Sequence, residues 1–191
     1  METVLTILTI GHSTRTLLEF IEILKAYDVT TVVDVRSVPR FRHNPQFNKE
    51  TLPVKLKQEK IGYIHMPEIG GFRRPKPNSV NTAWRNKSFQ GYADYMQTKE
   101  FKEQLLNLMA LAREHCVAIM CAEALPWRCH RSLIADALIV RNVTMEHIVS
   151  KENSIKHKLT EWAHVEGNNI TYPLFIKETP QRTLGDFGSH T

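Results

Sequence analysis

The sequence has few cysteines and no long apolar run, and each absence excludes a class of protein. Three cysteines in 191 residues cannot build the disulfide framework of a small secreted domain. The longest apolar stretches have the length of a strand, well short of the roughly 20 residues that cross a bilayer. The first residues, Met1 to Leu5, lack the charged start and apolar run of a secretory signal. The sequence therefore predicts a cytoplasmic protein with reduced thiols and no membrane span.

Acidic residues are missing from two windows of the chain. None occurs between Asp34 and Glu50 or between Glu68 and Asp94, and these windows carry nine of the positive charges. Because the formal net charge is +5, the remaining chain sums to −4. Aromatic residues alternate with the cations in both windows, a composition typical of loops that hold phosphates and stack on bases. Ordinary solvated loops also carry Lys and Arg, so both interpretations stay open.

The length and balance of residue types are those of one soluble domain. Hydrophobic residues make up 42% of the chain and charged residues 24%, enough apolar surface for a packed core. Apolar runs of strand length alternate with helical periodicity, which predicts a mostly parallel sheet of about five strands with helices on both faces. We expect this α/β domain to span residues 1–150, followed by a C-terminal helix over 151–172 and a polar tail over 173–191.

Polar residues follow four of the predicted strands at their carboxyl ends. His12 and Ser13 follow the first strand, Asp34 and Arg36 end the second, His65 ends the third, and Cys121 to Arg131 follow the fourth. In an open α/β sheet these ends meet at one edge, where ligands bind. The sequence therefore predicts a ligand site at this edge.

Five segments carry a resemblance to a known family. These segments are TIGHSTR (9–15), DVRSVPR (34–40), IHMPEIGGF (64–72), FQGYADYM (89–96) and MCAEALPWRCHRSLIADAL (120–138). Together they resemble the DUF488 family of small bacterial and archaeal proteins, over residues 6 to 149. The resemblance implies an α/β fold and a site at the Cys-Ala-Glu…Cys-His-Arg motif, and it implies no particular reaction.

The motif from Cys121 to Arg131 offers thiols, cations and one carboxylate. A thiol between a strand and a helix is how rhodanese-like and cysteine-phosphatase sites present a nucleophile, but the step from Cys121 to Arg128 is one residue longer than in phosphatases. Cys129 has cationic neighbours that favour its thiolate, and His12 and Glu123 can carry protons. We therefore predict catalytic roles for His12, Glu123 and Cys129. The predicted anion-binding residues are Ser13, Asp34, Arg36, His65, Arg73, Arg74, Trp84, Arg85, Arg128, His130 and Arg131.

The leading hypothesis is an enzyme that binds a phosphate-bearing ligand, a nucleotide or nucleic acid, at this edge and acts on it. One alternative is a non-catalytic nucleic-acid-binding module that uses only the two basic aromatic loops. Another is a thiol enzyme in the style of the rhodaneses. We predict no cofactor and no metal, with an ion at Cys121, Cys129 and His130 as a minor possibility, because no paired ligand spacing supports one. The sequence leaves the oligomeric state open.

Overall fold

Six strands form the central sheet, in the order β3-β2-β4-β1-β5-β6. The structure is a computed structural model that describes residues 5–40 and 42–174. The strands of the sheet are β1 (Thr6–Gly11), β2 (Thr31–Asp34), β3 (Gly62–His65), β4 (Val117–Cys121), β5 (Thr144–Ile148) and β6 (Ser154–Lys156). The first five run parallel, and β6 pairs with β5 in the antiparallel direction. The predicted mostly parallel sheet is confirmed, with one strand more than expected.

Helices cover both faces of the sheet, as the alternation of strand and helix patterns predicts. The helices are α1 (Leu17–Ala26), α2 (Leu52–Gln58), α3 (Lys87–Tyr95), α4 (Lys99–Glu114) and α5 (Arg131–Ile139). Residues of α1 and α2 pack with Leu8 and Ile10 of β1 in one buried cluster. Residues of α3, α4 and α5 pack with Ile7 in the other. Because neighbouring residues of β1 point to opposite faces, a single strand contributes to both cores.

Local chemistry explains where the helices begin. Thr16 accepts a hydrogen bond from the backbone N–H of Glu19, whose carboxylate accepts one from the Thr16 N–H, so a capping box starts α1. The helical spacing of Leu52 and Leu56 predicts a helix over Asn48 to Lys60, but α2 is shorter and starts only at Leu52. Asn48 instead follows a 3₁₀ turn at Pro45–Phe47.

The predicted C-terminal helix over residues 151–172 is wrong. This segment contains β6 and then a separate hairpin of β7 (His164–Glu166) and β8 (Asn169–Thr171). Ile155 of β6 lies opposite His147 of β5. The segment is therefore extended because it forms hydrogen bonds with the otherwise unpaired edge of β5. Pairing with an existing sheet overrides the weak helical preference of the sequence.

Two predictions remain, a polar C-terminal tail and the absence of a membrane span. The predicted polar tail over 173–191 lies outside the described residues except for Pro173 and Leu174. Within residues 5–40 and 42–174, no helix has both the length and the apolar character that a bilayer span requires.

Candidate functional site

The carboxyl ends of β1, β2 and β4 lie side by side at one edge of the sheet. Gly11 pairs with Cys121, and Asp34 pairs with Met120, in the parallel registers. A Cβ on Gly11 would lie 1.9 Å from the carbonyl oxygen of Glu123, so only glycine lets the chain after β4 cross this closely. The residues of the Cys121 to Arg131 motif are thereby packed against the end of β1.

A tight turn brings the two motif cysteines together. Cys121 ends β4, and Cys129 follows a 3₁₀ turn at Pro126–Arg128, with its N–H donating to the Pro126 carbonyl at 3.0 Å. The two sulfurs and a ring nitrogen of His130 all lie within 4.8 Å of one another. Both Cys129 and His130 precede the first residue of α5, so the turn and not a helix sets their directions. On a helix, the adjacent Cys129 and His130 would be expected to point in different directions, but the turn brings both toward Cys121.

The surroundings of the two thiols shift their pKa values in opposite directions. A hydrogen bond from Cys121 lowers the pKa of Cys129 well below its ordinary value, in spite of burial, and His130 and Arg131 act in the same direction. The same contact with Cys129, together with burial, raises the pKa of Cys121. The two thiols therefore titrate as a coupled pair, in which the surroundings favour the thiolate at Cys129 over the thiolate at Cys121.

A cavity of about 550 Å³ opens over these thiols, and we call it the thiol cavity. Its lining includes three arginines, Arg36, Arg40 and Arg128, and one carboxylate, Glu123. Its apolar and aromatic lining comprises Val38, Phe72, Phe89 and Tyr92. The Arg128 guanidinium forms no ion pair with any described residue, which leaves it available to an anion.

Phe72 lies at this cavity with an unusual backbone. Its side chain is 89% exposed and its φ is 60°, in the left-handed region that bulky residues rarely adopt. Ser13, after β1, has a φ of 47°. Strained residues of this kind concentrate at ligand sites, where the surrounding structure holds them in place.

Arg131 does not line the thiol cavity. Its side chain is 1% exposed, and its Nε donates to the Cys129 sulfur at 3.3 Å. Its Nη1 donates to the Thr9 hydroxyl at 3.1 Å, and its Nη2 donates to the Glu123 carbonyl. The prediction that Arg131 clamps a ligand anion is therefore wrong, because all three nitrogens contact buried protein groups. Arg131 instead stabilises the thiolate from beneath.

A chain of hydrogen bonds continues from Arg131 through the core. The Thr9 oxygen lies 2.7 Å from His147 Nδ1, and His147 Nε2 lies 2.9 Å from His157 Nδ1. His157 Nε2 lies 2.8 Å from Asp136, whose carboxylate also accepts from the Tyr172 hydroxyl and the Thr160 N–H. We call the series Arg131–Thr9–His147–His157–Asp136 the hydrogen-bond chain.

The sequence analysis missed this chain, although the sequence contained a signal for it. Thr9 and His147 interrupt apolar strands, and Asp136 interrupts an apolar helix, and all three are at most 4% exposed. A polar residue inside a buried segment needs a hydrogen-bonding partner. Three such interruptions on different elements therefore predict a shared polar network.

A second buried assembly lies at the end of β2. Asp34 is fully buried and accepts from Arg36 Nε at 2.9 Å and from Arg36 Nη2 at 2.6 Å. The Tyr63 hydroxyl donates to the same carboxylate at 2.7 Å, and the Phe47 carbonyl accepts from Arg36. The two-oxygen contact satisfies the buried charges, so Asp34 acts as the partner of Arg36 and does not itself line the thiol cavity.

His12 belongs to this assembly as well. Its Nε2 lies 3.0 Å from Arg36 Nη1, which can only donate, so Nε2 accepts and the ring is neutral with its proton on Nδ1. Nδ1 donates to the Ser13 carbonyl at 2.9 Å, and the ring stacks on Phe47 at 4.3 Å. His12 and Ser13 line a smaller cavity of about 350 Å³ that shares Glu123 with the thiol cavity. The proton-carrying role of His12 stays a prediction.

The buried neutral state of His12 predicts a loss of stability in mild acid. Burial, and after it the charge of Arg36, lowers the pKa of His12 from 6.5 to about 4. Between these values the unfolded chain binds a proton that the folded chain does not, so the free energy of unfolding falls as the pH is lowered through this window, by about 3 kcal/mol. Urea unfolding at pH 7 and pH 4.5 measures most of this change.

The control for this prediction is His12→Gln, whose amide oxygen can still accept from Arg36. In that variant the decrease between pH 7 and pH 4.5 is expected to be smaller, and an unchanged decrease would contradict the assignment. Burial also lowers the pKa of His147, to about 3, so part of the acid sensitivity remains in the variant.

The predicted residues of the second basic window, between Glu68 and Asp94, do not converge on the thiol cavity. Arg73 lies over the Tyr95 ring at 3.6 Å and donates to the carbonyls of Gly70 and Glu68. Arg74 and Arg85 are exposed, and His65 contacts the Arg36 carbonyl at 2.8 Å. Trp84 lines a different cavity. Of the predicted site residues, those that line the thiol cavity are Arg36, Glu123, Arg128, Cys129 and His130.

Together the fold and the site define an α/β protein with a thiol pair at the carboxyl edge of its sheet. The family model described as a domain of unknown function, DUF488, matches residues 16–138. The chain belongs to the DUF488 family. No curated protein and no solved structure matched the chain.

Proposed function

We propose that the protein is an enzyme that binds a phosphate-bearing ligand in the thiol cavity and acts on it through the Cys129 thiolate. The observation that carries the proposal is the position of Cys129, which lines the cavity while Arg131 donates to its sulfur from the buried side. A thiolate that lines a ligand-sized cavity and receives a hydrogen bond from a buried cation is arranged as a nucleophile.

The cavity lining favours an anionic ligand with a ring or an apolar group. Arg128 and Arg40 are exposed side chains that can turn toward a phosphate, and arginine contacts phosphate oxygens with two parallel hydrogen bonds. Phe72, Phe89 and Tyr92 supply apolar contact beside them. A nucleotide meets both requirements.

The reaction class is nucleophilic displacement. The Cys129 sulfur forms a bond to an electrophilic atom of the ligand, and the bond from that atom to its leaving group breaks, so that the leaving group departs with the electron pair. Water then cleaves the adduct and restores the thiolate. Glu123, which lines the same cavity, serves as the base that takes the proton of this water.

A metal site is the second candidate, because the donor atoms of Cys121, Cys129 and His130 lie together. Three protein ligands with an open fourth position are typical of catalytic zinc. The adjacent guanidinium of Arg131, 3.3 Å from the Cys129 sulfur, disfavours a dication there and favours a bare thiolate.

Protection of Cys129 from alkylation tests the proposal. Purified protein, analysed for metal, is treated with iodoacetamide in the presence of pyrophosphate or of nucleoside mono-, di- and triphosphates, and the modified cysteines are identified by mass spectrometry. We expect saturable protection by at least one nucleotide, which Arg128→Ala weakens and Arg113→Ala, an exposed arginine on α4, does not. Alkylation that no phosphate compound slows would contradict the proposal. Stoichiometric zinc that blocks alkylation would establish the metal site instead.

A further inference from the structure

All three tryptophans of the chain line one cavity outside the thiol site. This cavity of about 380 Å³ lies between the 3₁₀ turn at Pro126–Arg128 and the segment from Ile155 to Trp162, and we call it the tryptophan cavity. Trp127 is 60% exposed and Trp162 is 46% exposed. Packing in the core does not account for two rings that remain this exposed. Exposed aromatic surface gathered at one cavity is instead typical of a binding site.

Trp84 forms the inner part of this cavity. Its ring centroid lies 5.3 Å from that of Trp162 and 5.4 Å from that of Tyr172, in edge-to-face contacts that fix its orientation. Its Nε1–H is buried and has no acceptor among the described residues. A buried indole N–H nearly always has a partner, and Trp84 is a residue of the cavity lining whose N–H has none.

Cations stand beside the exposed rings. Lys156 and Lys158 line the tryptophan cavity, both are exposed, and neither forms an ion pair with a described residue. One carboxylate, Glu161, lines the cavity with them. The lining therefore combines exposed aromatic rings with two available ammonium groups.

The turn at Pro126–Arg128 separates the two cavities and contributes to both. Trp127 lines the tryptophan cavity, whereas the next residue, Arg128, lines the thiol cavity. The Trp84 ring also packs against Phe89 of the thiol cavity at 5.0 Å. A ligand of several nucleotides that extends across this turn would contact Arg128 in the thiol cavity and Lys156 or Lys158 in the tryptophan cavity.

We propose that the tryptophan cavity binds a nucleotide of a single-stranded nucleic acid. Its base stacks on Trp127 and Trp162, and its phosphates meet Lys156 and Lys158. Stacking of bases on aromatic side chains beside cations is how proteins hold single strands without requiring a sequence. The position of Arg128 beyond the turn favours a strand over a single nucleotide. The proposal goes beyond the proposed function and does not depend on chemistry at Cys129.

Intrinsic fluorescence provides a direct test, because every tryptophan of the chain lines this cavity. The full-length protein is titrated with a twelve-residue oligothymidylate, with thymidine monophosphate and with polyphosphate, at two salt concentrations. We expect saturable quenching by the oligonucleotide at concentrations where the monophosphate and polyphosphate have little effect. Equal binding of the monophosphate, or a response to polyphosphate alone, would overturn the proposal.

Variants assign the binding to this cavity. By anisotropy of a labelled oligonucleotide, Trp127→Leu is expected to weaken binding about tenfold. Lys158→Ala is expected to reduce the salt dependence by about one phosphate contact, whereas Lys55→Ala on α2 leaves it unchanged. Trp127 is mostly exposed, so its variant should fold, and circular dichroism checks this. Unchanged affinity in both Trp127→Leu and Lys158→Ala would overturn the proposal.

The variant Cys129→Ser separates this proposal from the proposed function. It removes the thiolate and leaves the tryptophan cavity intact, so oligonucleotide binding should persist while nucleotide-protected alkylation is lost. Loss of oligonucleotide binding in folded Cys129→Ser would overturn an independent second site.

Discussion

Replacing Asp34 by Asn is expected to lower the free energy of unfolding by about 3–5 kcal/mol. The substitution keeps the size of the side chain and removes its charge. Arg36, which is 4% exposed, is then left as a buried cation without its carboxylate. Because so little of the Arg36 side chain is accessible, water compensates its charge poorly, and the cost approaches that of an unpaired buried charge. Urea unfolding followed by circular dichroism at pH 7 measures the change.

The exposed pair of Arg40 and Glu50 provides the matched control. Its side chains are 72% and 53% exposed, and Glu50→Gln should therefore change the stability far less than Asp34→Asn. A second check adds Arg36→Met to Asp34→Asn. If the loss comes from the unpaired cation, the double variant will be more stable than Asp34→Asn. Equal losses at the buried and exposed pairs would contradict this account.

Replacing Arg131 by Met is expected to slow alkylation of Cys129 in mild acid several-fold and to move its labelling profile to higher pH. The substitution removes both a cation and an N–H donor from the sulfur, and both groups favour the thiolate, so the pKa of Cys129 rises. A smaller fraction of Cys129 is then ionised at a given pH, and only part of the lost rate is regained because a more basic thiolate is more nucleophilic. The pH profile of iodoacetamide labelling, read by mass spectrometry at Cys129, measures the shift.

Two further variants separate the charge of Arg131 from its structural contacts. Arg131→Lys keeps the cation and should retain more of the reactivity than Arg131→Met. Arg128→Met removes an exposed cation from the same turn and should leave the profile nearly unchanged. Cys116, whose pKa burial raises, is an internal reference for the reagent. An Arg131→Met profile that matches that of the unaltered protein would show that Cys121 and His130 alone stabilise the thiolate.

The parallel sheet was predictable because its central strands β1, β2 and β4 are short, mostly apolar segments that alternate with helical patterns. Such strands are buried on both faces, and β4, for example, is buried at every position. Gly11 and the Thr16 cap also mark boundaries in the sequence itself. Local sequence therefore specifies these elements almost completely.

The C-terminal segment was not predictable, because its structure depends on distant partners. Ile155, Leu159 and Trp162 have helical spacing, but β6 forms on the exposed edge of β5. His157 then reaches Asp136 in α5. The local sequence does not show that a distant strand has an unpaired edge. The helical spacing of these three apolar residues therefore predicts a helix where a strand forms.

The candidate site was predictable in its position and only partly in its roles. Parallel strands bring Gly11, Asp34 and Cys121 to one edge in any such fold, which is why the convergence could be inferred. Residue type does not reveal whether an arginine faces a cavity or the core. Arg128 and Arg131 stand in the same motif, yet the first is exposed and the second is buried beneath the thiolate.

The hydrogen-bond chain has a direction, which couples the orientations of its members. Arg131 only donates and the Asp136 carboxylate only accepts, so each neutral histidine between them has its proton on Nε2. A change of tautomer at His157 would turn its Nδ1 into a donor that faces the donor of His147, so His147 would have to move its own proton to Nδ1. Thr9 would then have to rotate its hydroxyl hydrogen away from His147. A rearrangement at the α5 end of the chain therefore reaches the oxygen that accepts from Arg131, and the groups between change together or not at all.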